Sequence, residues 1–579
     1  MIPAGQPQVL VAGAGPVGLT AAHELARRGL RVRLVDAASG PARTSRAVAT
    51  HPRTLETYDQ MGVVSEIIAR GRKNRAFTMY AEGRRLVRLD ADYSTMPTAY
   101  PYTLVIGQTE TETVLRAAVA RLGVEVEWGV RLTGFTQDLH GVRAELAHPD
   151  GTVEQVDADW LVGCDGGHST VRKQLGLKLA GESADTWMLA DAPVSTDLPP
   201  DTIYWTHTGG QALMMVPYAR EGHWRLLDTA PASREDDPRP AEERLTAKLS
   251  KGLGRPVVVG ETEWTSVFTF QQRMVERMQD GRVFVAGDAA HVHSPASGQG
   301  MNTGIQEAYN LAWKLAAVEE GHAGAGLLET YSEERVPIGK ALLGSTRTAT
   351  FLVQLKNLVA SLALPVVFTV VRNVPPLRRA IQRKVLGGMS GLRIGYDESP
   401  LTTTGVFDYV SGAGPVVVAG PEPTPAPYPG QRATAAPVHD SDSPGSRAYA
   451  AELRDPRWTL LLAAGGKGPG DVPVGVAFTA AAQYGEWLSV RTVGGSGPDG
   501  PAPLDDPGHT LRRGLNLLPG GWLLVRPDGY VAARGSVLSR GALAGAFAPL
   551  DLADRIADEA PHEPGLALPP TSSPRLKEH

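Results

Sequence analysis

The fold is decided by residues 8–36, which read QVLVAGAGPVGLTAAHELARRGLRVRLVD. Gln8–Ala12 predicts a strand, Val17–Arg28 a helix and Arg31–Asp36 a second strand, as in a parallel sheet with a right-handed crossover. The turn Gly13-Ala14-Gly15-Pro16-Val17-Gly18 permits a tight bend, close approach of the backbone to a pyrophosphate and close helix–strand packing. Asp36 ends the second strand, where its carboxylate can accept hydrogen bonds from two ribose hydroxyls. Together these features predict a dinucleotide at the helix N-terminus.

The composition is that of a globular protein with more than one domain. Of 579 residues, 42% are apolar and 21% charged, which excludes disorder of the whole chain. A net charge of −5 gives no indication of a nucleic-acid partner or an anionic membrane. Cys164 is the single cysteine, which excludes an intrachain disulfide and a multi-cysteine metal site, and fits the expected cytoplasmic location.

Two sequence features could suggest a membrane span or a metal site, and neither is predicted. The most apolar long stretch, Phe351–Val371, is interrupted by Lys356 and Pro365, so it predicts a packed helix and no membrane span. His291 and His293 are spaced like metal ligands, but no carboxylate or thiol cluster accompanies them, so no metal site is predicted.

The order of patterns along the chain predicts an α/β fold with an inserted sheet. Short β-rich runs between Gly, Pro and Asp turns interrupt a Rossmann-type domain, and prolines alternating through 421–429 predict a linker. The predicted parts are a dinucleotide-binding domain in two segments, 1–187 and 271–415; an antiparallel substrate-binding sheet, 188–270; a linker, 416–446; a small α/β module, 447–560; and a disordered tail, 561–579.

Two further motifs favour a flavin dinucleotide. The stretch Gly163–Arg172, GCDGGHSTVR, follows a short apolar run, and Gly287–His291, GDAAH, follows another and leads to the start of a long helix. A strand that ends in Gly-Asp places one carboxylate at the carboxyl edge of the sheet, where it can hold a polyol hydroxyl. The following helix N-terminus offers N–H groups to the partial negative charge that a flavin carries at N1 and the C2 carbonyl.

These motifs resemble those of the group A flavoprotein monooxygenases, the aromatic hydroxylases typified by para-hydroxybenzoate hydroxylase and phenol hydroxylase. The matching stretches are residues 13–29, Asp36, 45–47, 52–56, 107–112, 163–172 and 287–315. Residues 390–396, 429–432 and 523–534 resemble the longer subgroup that acts on aromatic polyketides and phenols, in which a thioredoxin-like module follows the catalytic body.

The resemblance implies a role for each matching position along an FAD molecule. His168 departs from the pattern, because arginine is common there. Arg46 and Pro295 are implied as catalytic residues. The implied cofactor-binding residues are Gly13, Gly15, Pro16, Val17 and Gly18 at the pyrophosphate, Asp36 at the adenosine ribose, Leu132 at the adenine, Arg46 and Gln108 along the pyrophosphate and ribityl chain, Asp165 near the FAD and the path of the nicotinamide, Asp288 at the ribityl chain, and Pro295, Gly298, Gly300, Met301 and Asn302 beside the isoalloxazine.

The activity implied is hydroxylation of an aromatic small molecule with NADPH or NADH and O₂, through a flavin C4a-hydroperoxide. Since no second strand–glycine–helix fingerprint with an acidic partner occurs, the nicotinamide cofactor is expected to bind without a Rossmann domain of its own. The apolar stretches Leu213–Val216 and Phe351–Val371 favour a flat polycyclic phenol, such as a polyketide, over a small acid.

Some alternatives stay open at this level. A Baeyer–Villiger oxygenase, an FAD-dependent reductase or dehydrogenase, and a non-catalytic nucleotide-binding protein could each use the same fingerprint. A base that deprotonates a phenol would help hydroxylation, and the candidates on the inserted sheet are Tyr204, His207, Tyr218 and His223. The protein is expected to be a monomer or a homodimer.

Overall fold

The structure of the protein is a computed structural model. It describes residues 5–91, 97–230, 237, 239–292, 298–354, 374, 386–403, 427–433, 442–463, 474–495 and 501–551. Pro295, the tail 561–579, and most of the linker and of Phe351–Val371 lie outside the described residues. No helix in the described part of the chain is long and apolar enough to cross a membrane.

The described residues alternate strands and helices. The strands are β1 Val9–Ala12, β2 Val32–Asp36, β3 Ala49–Thr50, β4 Arg72–Asn74, β5 Ala76–Ala81, β6 Arg84–Asp90, β7 Thr103–Val105, β8 Val126–Trp128, β9 Arg131–Gln137, β10 Val142–Ala147, β11 Val153–Ala158, β12 Trp160–Gly163, β13 Ala180–Ser195, β14 Thr202–Thr208, β15 Gln211–Pro217, β16 His223–Asp228, β17 Val258–Val259, β18 Trp264–Met274, β19 Gln279–Asp280, β20 Val283–Val285, β21 His291–Val292, β22 Trp458–Ala463, β23 Leu488–Val493, β24 Pro503–Leu504, β25 Trp522–Val525 and β26 Val531–Gly535. The α-helices are α1 Pro16–Ala26, α2 Pro52–Gln60, α3 Val64–Arg70, α4 Gln108–Arg121, α5 Thr170–Gln174, α6 Ala241–Leu253, α7 Gly300–Glu319, α8 Glu329–Gln354, α9 Pro444–Glu452, α10 Val474–Tyr484, α11 Thr510–Gly514 and α12 Arg540–Phe547.

A six-stranded sheet, ordered β19-β20-β12-β1-β2-β8, brings the three sequence motifs together. Its strands are parallel except β19, and β1, β12 and β20 are neighbours at its centre. Each of these three strands leads directly into one motif, so all three motifs lie at the same carboxyl edge. This is the edge at which open α/β sheets bind ligands.

The inserted sheet has nine strands, ordered β21-β18-β13-β16-β15-β14-β5-β6, with β17 paired to β13. Strands β5 and β6 come from residues 76–90, within the range that the sequence analysis assigns to the first part of the dinucleotide-binding domain. They join the sheet because β5 pairs in parallel with β14, and such non-local pairing leaves no mark in the local sequence pattern. Helix α6 covers one face through Leu245, Leu249 and Leu253.

The C-terminal module contains a five-stranded sheet ordered β24-β23-β22-β25-β26. Strands β22, β23 and β24 are parallel, and β25 and β26 continue the sheet antiparallel, joined by the predicted turn Pro527-Asp528-Gly529. One face packs on helix α7, where the ring of Trp313 meets Trp458 edge-on at 5.6 Å. The module is therefore joined to the helix that begins at the third motif.

A buried ion network ties the module to the body. The guanidinium of Arg526 donates to both carboxylate oxygens of Glu334 at 2.6 and 2.9 Å, and also pairs with Asp528 at 2.6 Å. Lys314 donates to Glu334 at 2.8 Å, so two cations and two carboxylates neutralise each other. All four side chains are at most 2% exposed. Burial lowers the pKa of Lys314 to about 8.

We expect Arg526→Met to destabilise the protein by about 3–5 kcal/mol, because it leaves two buried carboxylates with Lys314 as their remaining partner in the network. Urea unfolding followed by tryptophan fluorescence measures this free energy. Arg513→Met, on an exposed residue of the same module, serves as the matched control. An Arg526→Met variant as stable as the control would show that the network does not hold the module in place.

Candidate active site

The glycine-rich turn leaves room for a ligand at one position only among its three glycines. Gly13 has a φ of +105°, and a Cβ there would lie 2.3 Å from the Cys164 carbonyl oxygen. A Cβ on Gly18 would lie 1.8 Å from the Gly13 carbonyl oxygen, whereas one on Gly15 would meet nothing within 4 Å. The first and third glycines therefore permit packing, and the second leaves open space where a pyrophosphate can approach the backbone.

The first turn of α1 is free to bind an anion. Pro16 is its first residue, a position where proline costs no hydrogen bond. In this part of the chain, which the structure describes throughout, no side chain caps the helix N-terminus. Its N–H groups and dipole therefore point toward the space above Gly15, which fits the FAD pyrophosphate.

Asp36 is held in place at the end of β2. Its Oδ2 accepts a hydrogen bond from the Ala14 N–H at 2.7 Å, and its Oδ1 accepts one from the Ala38 N–H at 2.8 Å. Each carboxylate oxygen can accept a second hydrogen bond, so the residue can still receive ribose hydroxyls. This geometry agrees with the predicted role.

Gln108 and Leu132 support the cleft in different ways. Gln108 begins α4; its Oε1 accepts from the Ala47 N–H at 3.2 Å and its Nε2 donates to Glu112 at 2.8 Å. The side chain thereby fixes the loop that carries Arg46, whose own side chain is exposed. Leu132 lies on β9 with its side chain 6% exposed in the main core, so an adenine contact would have to use its backbone, as predicted.

The second motif contains the carboxylate of Asp165, of which one oxygen is used in hydrogen bonds to the backbone. Asp165 Oδ2 accepts from the N–H groups of Thr170 and Val171 at 2.7 and 3.2 Å and so caps helix α5. Its buried Oδ1 has no hydrogen-bond partner among the described residues, as expected of an atom that awaits a ligand. His168 is exposed beside it.

The third motif places Asp288 in the cleft and uses Asn302 as a brace. Asp288 is exposed on the 3₁₀ turn Gly287–Ala289 that follows β20. Asn302 accepts from the His51 N–H at 2.9 Å and donates to the carbonyls of Ala49 and Gly298 at 2.8 and 2.7 Å. Because its side chain is occupied, a contact with the isoalloxazine would come from its backbone N–H.

The remaining loop residues extend this helix start. Gly298 has a φ of +63°, and a Cβ there would lie 2.9 Å from the Ala49 Cβ, so glycine is required. Gly300 is the first residue of α7, and Met301 packs partly against the core. Pro295, predicted beside the flavin ring, lies outside the described residues.

An arginine that the sequence analysis missed joins the inserted sheet to the cofactor loop. Arg225, 1% exposed on β16, pairs with Asp191 on β13 and donates to the carbonyl oxygens of Ser45 and Arg46, the latter at 3.0 Å. Tyr218 donates to the same Asp191 at 3.0 Å. The available signal was a charged residue inside the buried run Trp224–Leu227, which demands a partner.

The four candidate bases do not share one location. Tyr204 lies on the face of the sheet that packs against α6, and its hydroxyl donates to the Pro199 carbonyl at 2.9 Å, so this candidate is wrong as a group facing the cleft. His223 is near Glu263, at 3.1 Å on a polar edge, and Tyr218 donates to Asp191. Burial raises the pKa of Tyr218, which makes it a poor base. His207, two residues beyond Trp205 on β14, is the candidate on the opposite face from α6.

The converging motifs, the uncapped helix N-terminus and the sheet above them define an FAD-dependent oxidoreductase. The chain matches the family described as FAD binding domain over residues 6–346. It is 49% identical over 530 residues to 6-methylpretetramide 4-monooxygenase of Streptomyces rimosus, covering 91% of each chain. It is 34% identical over 342 residues to pentachlorophenol 4-monooxygenase of Sphingobium chlorophenolicum, covering 58% of this chain and 63% of that one.

Solved structures agree over nearly the whole chain. An anhydrotetracycline hydroxylase from Streptomyces rimosus matches with a TM-score of 0.70 and 29% identity, covering 94% of this chain and 99% of that one. A ternary complex of aklavinone-11 hydroxylase with FAD and aklavinone matches with a TM-score of 0.68 and 25% identity, with the same coverage. The chain belongs to the group A FAD-dependent aromatic monooxygenases, which confirms the predicted family, FAD cofactor and enzyme class.

We expect Asp288→Ala to weaken FAD binding about 10- to 100-fold, because a hydrogen bond between a hydroxyl and a charged group contributes about 1.5–3 kcal/mol. Fluorescence titration of the apoprotein with FAD measures the dissociation constant. Asp505→Ala, an exposed aspartate of the C-terminal module, should bind as the unmodified protein does. Equal FAD affinity in both variants would remove Asp288 from the cofactor site.

Proposed function

We propose that this FAD-dependent monooxygenase hydroxylates a linear polycyclic phenol of the pretetramide type, with NADPH or NADH and O₂. The observation that carries the proposal is the 49% identity to 6-methylpretetramide 4-monooxygenase across 91% of both chains. The structure adds two kinds of support, the character of the sheet face above the cofactor cleft and the position of His207 on it.

One face of the nine-stranded sheet, called here the cleft face, is apolar and aromatic. Register pairs Trp205 with both Met214 and Met79, which places the three side chains together. The same face meets Val48 and Val105 of the cofactor-binding part, and Arg225 reaches from it to the Arg46 loop. The cleft face is formed by Phe77, Met79, Trp187, Leu189, Ile203, Trp205, Met214, Val216, Leu227 and Trp264.

Such a surface suits a flat, extended ring system better than a small acid. Aromatic side chains bind planar rings through stacked or edge contacts, and methionine adapts to their outline. Arg225 is already paired with Asp191, so the cleft face offers no unpaired arginine at that point to hold a substrate carboxylate. Packing of this kind also excludes water from the reaction.

His207 supplies a polar group on the cleft face. Thr206 lies under Gly252 of α6, so its neighbour His207 points the other way. The buried Nε2 of His207 has no hydrogen-bond partner within the described part of the chain. Burial lowers the pKa of His207, which keeps the ring neutral and able to accept a phenolic proton.

Different residues of the protein would bind the cofactor, hold the Arg46 loop and orient the substrate. Bound FAD would supply electron transfer from the nicotinamide and activation of O₂. Gly15 and the start of α1 would bind its pyrophosphate, Asp36 its ribose and Asp288 its ribityl chain. Arg225 and Gln108 hold the loop of Arg46 at the mouth of the cleft. The cleft face orients the ring, and His207 accepts the proton of its hydroxyl.

The chain organisation is part of the proposal. We infer that residues 447–560 form a thioredoxin-like module, in agreement with a central β22 flanked by parallel β23 and antiparallel β25. Because Cys164 is the single cysteine of the protein, this module has no dithiol chemistry. Its contribution is the packing of helix α7. The boundaries 1–187, 188–270, 271–415 and 416–446 complete the proposed division. The inserted sheet crosses them, because it includes β5 and β6 of the first part and its strands β13 and β18 begin at Ala180 and end at Met274.

The function is tested by reducing the enzyme with NADPH or NADH under anaerobic conditions and mixing it with ¹⁸O₂, with and without a pretetramide-type tetracyclic phenol. Hydroxylation predicts a phenolic product that contains one ¹⁸O atom. A ring-expanded ester would indicate a Baeyer–Villiger reaction, and consumption of the nicotinamide without oxygen uptake would indicate a reductase. para-Hydroxybenzoate, a small acid, should be a poor substrate. A ring-expanded ester, or nicotinamide consumption without oxygen uptake, would overturn the proposal.

We expect His207→Phe to lower kcat/KM for the phenol about 2- to 10-fold and to release more H₂O₂ per nicotinamide consumed, because one hydrogen bond of about 0.5–1.5 kcal/mol to the substrate is lost. The FAD dissociation constant should not change. Tyr204→Phe is the matched control, three positions earlier on the same strand but on the face toward α6. Equal kcat/KM values for the two variants would show that His207 does not contact the substrate.

A further inference from the structure

A buried carboxylate stands behind the turn that carries Asp288. Glu307 of helix α7 is 0% exposed. Its Oε2 accepts the Gly287 N–H at 2.9 Å, and its Oε1 lies 2.7 Å from Nε2 of His291, which is 1% exposed. Glu307 has no surface in the cleft, so it cannot itself touch a ligand. Both of its oxygens are directed at the turn.

These contacts fix both ends of a five-residue segment. Gly287 and His291 are its first and last residues, and the Ala290 N–H closes the turn onto the Gly287 carbonyl at 2.8 Å. Between them, Asp288 is the exposed residue. One carboxylate therefore determines the position and direction of the side chain that faces the cofactor. A shift of Glu307 would move both ends of the segment together.

The charges of the cluster are linked. Burial lowers and Glu307 raises the pKa of His291, with a net rise, so the imidazole holds its proton. Restricted hydration inside the cleft and the charge of Glu307 raise the pKa of Asp288, whereas His291 and Arg46 lower it. The other titratable groups that face the cluster are Arg335 of α8, which lowers the His291 pKa, and Cys164 and Tyr331, both of which stay neutral because burial raises their pKa values.

We propose that Glu307 is a positioning residue of the cofactor site: with His291 it holds the 287–291 turn so that Asp288 faces the FAD ribityl chain. The proton that Glu307 keeps on His291 also favours the charged form of Asp288. This inference rests on Asp288 as an FAD ligand, the role that Asp288→Ala tests separately. It assigns a role to two residues that do not contact the cofactor.

The sharpest test is Glu307→Gln, which preserves shape. The glutamine oxygen can accept the Gly287 N–H, and its amide can donate to the neutral His291 ring, so the turn keeps both hydrogen bonds. The proton of His291 is lost with the negative charge. Asp288 then loses the cation that lowers its pKa most, together with the weaker repulsion from Glu307, so it becomes protonated at a higher pH than before.

FAD affinity is measured by fluorescence titration of the apoprotein from pH 5.5 to pH 8.5, without any turnover. We expect the acid limb of the affinity profile to move to higher pH in Glu307→Gln, with binding weaker than in the unmodified protein at the acid end of the range and equal to it at pH 8.5. His291→Gln removes the same cation but leaves the charge of Glu307, so it should move the acid limb at least as far. The double variant should match Glu307→Gln, because the two carry the same charges around Asp288.

The controls separate positioning from general stability. Glu333→Gln makes the same change on an exposed residue of α8 and should leave the profile unchanged. Circular dichroism and urea unfolding verify that each variant is folded. An unchanged profile in Glu307→Gln, or a loss of affinity equal at every pH, would overturn the inference, the second because it would show a packing role alone. If Asp288→Ala binds FAD normally, the proposed contact fails whatever Glu307 does.

Discussion

The site depends on one close contact, in which the side chain of Val17 packs between Gly287 and Gly304. A Cβ on Gly287 would lie 2.8 Å from the Val17 side chain, and a Cβ on Gly304 would lie 2.6 Å from it and 3.0 Å from the Gly287 Cα. Helix α1, the turn after β20 and helix α7 therefore meet with no room for a methyl group between them. This contact sets the distance from the pyrophosphate turn to Asp288 and to the start of α7. Any larger residue at either glycine would separate the two ends of the cofactor cleft.

The C-terminal module acts on the same helix from its other side. Trp313 of α7 packs on Trp458, and Asn310 of α7 donates to Asp528 at 3.0 Å. Arg335, next to Glu334 of the ion network, donates to the Thr303 carbonyl at 3.4 Å, in the first turn of α7. The network therefore continues from the module to the helix start that faces the flavin. Buried ion pairs contribute little net stability, but they impose one geometry, because a displaced charge would remain unpaired.

Local sequence signals predicted the elements well wherever a strand, a glycine and a helix follow one another. The predicted strand Gln8–Ala12, helix Val17–Arg28 and strand Arg31–Asp36 agree with the observed β1, α1 and β2 to within two residues at each end. The sequence could not show that β5 and β6 cross into the inserted sheet, since their partner β14 is more than a hundred residues away. It also could not show that Arg225 reaches the Arg46 loop, because that contact depends on how the two sheets are placed.

The predicted cofactor residues fall into two groups that a motif alone cannot separate. Gly15, Asp36 and Asp288 face the cleft with free space or free acceptor capacity. The side chains of Gln108 and Asn302 instead form hydrogen bonds with neighbouring backbone groups. Asp165 belongs to both groups: its Oδ2 accepts hydrogen bonds from the backbone, and its Oδ1 has no partner among the described residues. The second group holds neighbouring backbone in place, so the bound cofactor would be met by the N–H groups that these side chains position. Substrate choice is then left to the apolar side chains of the cleft face, which meet the cofactor-binding part through Val48 and Val105.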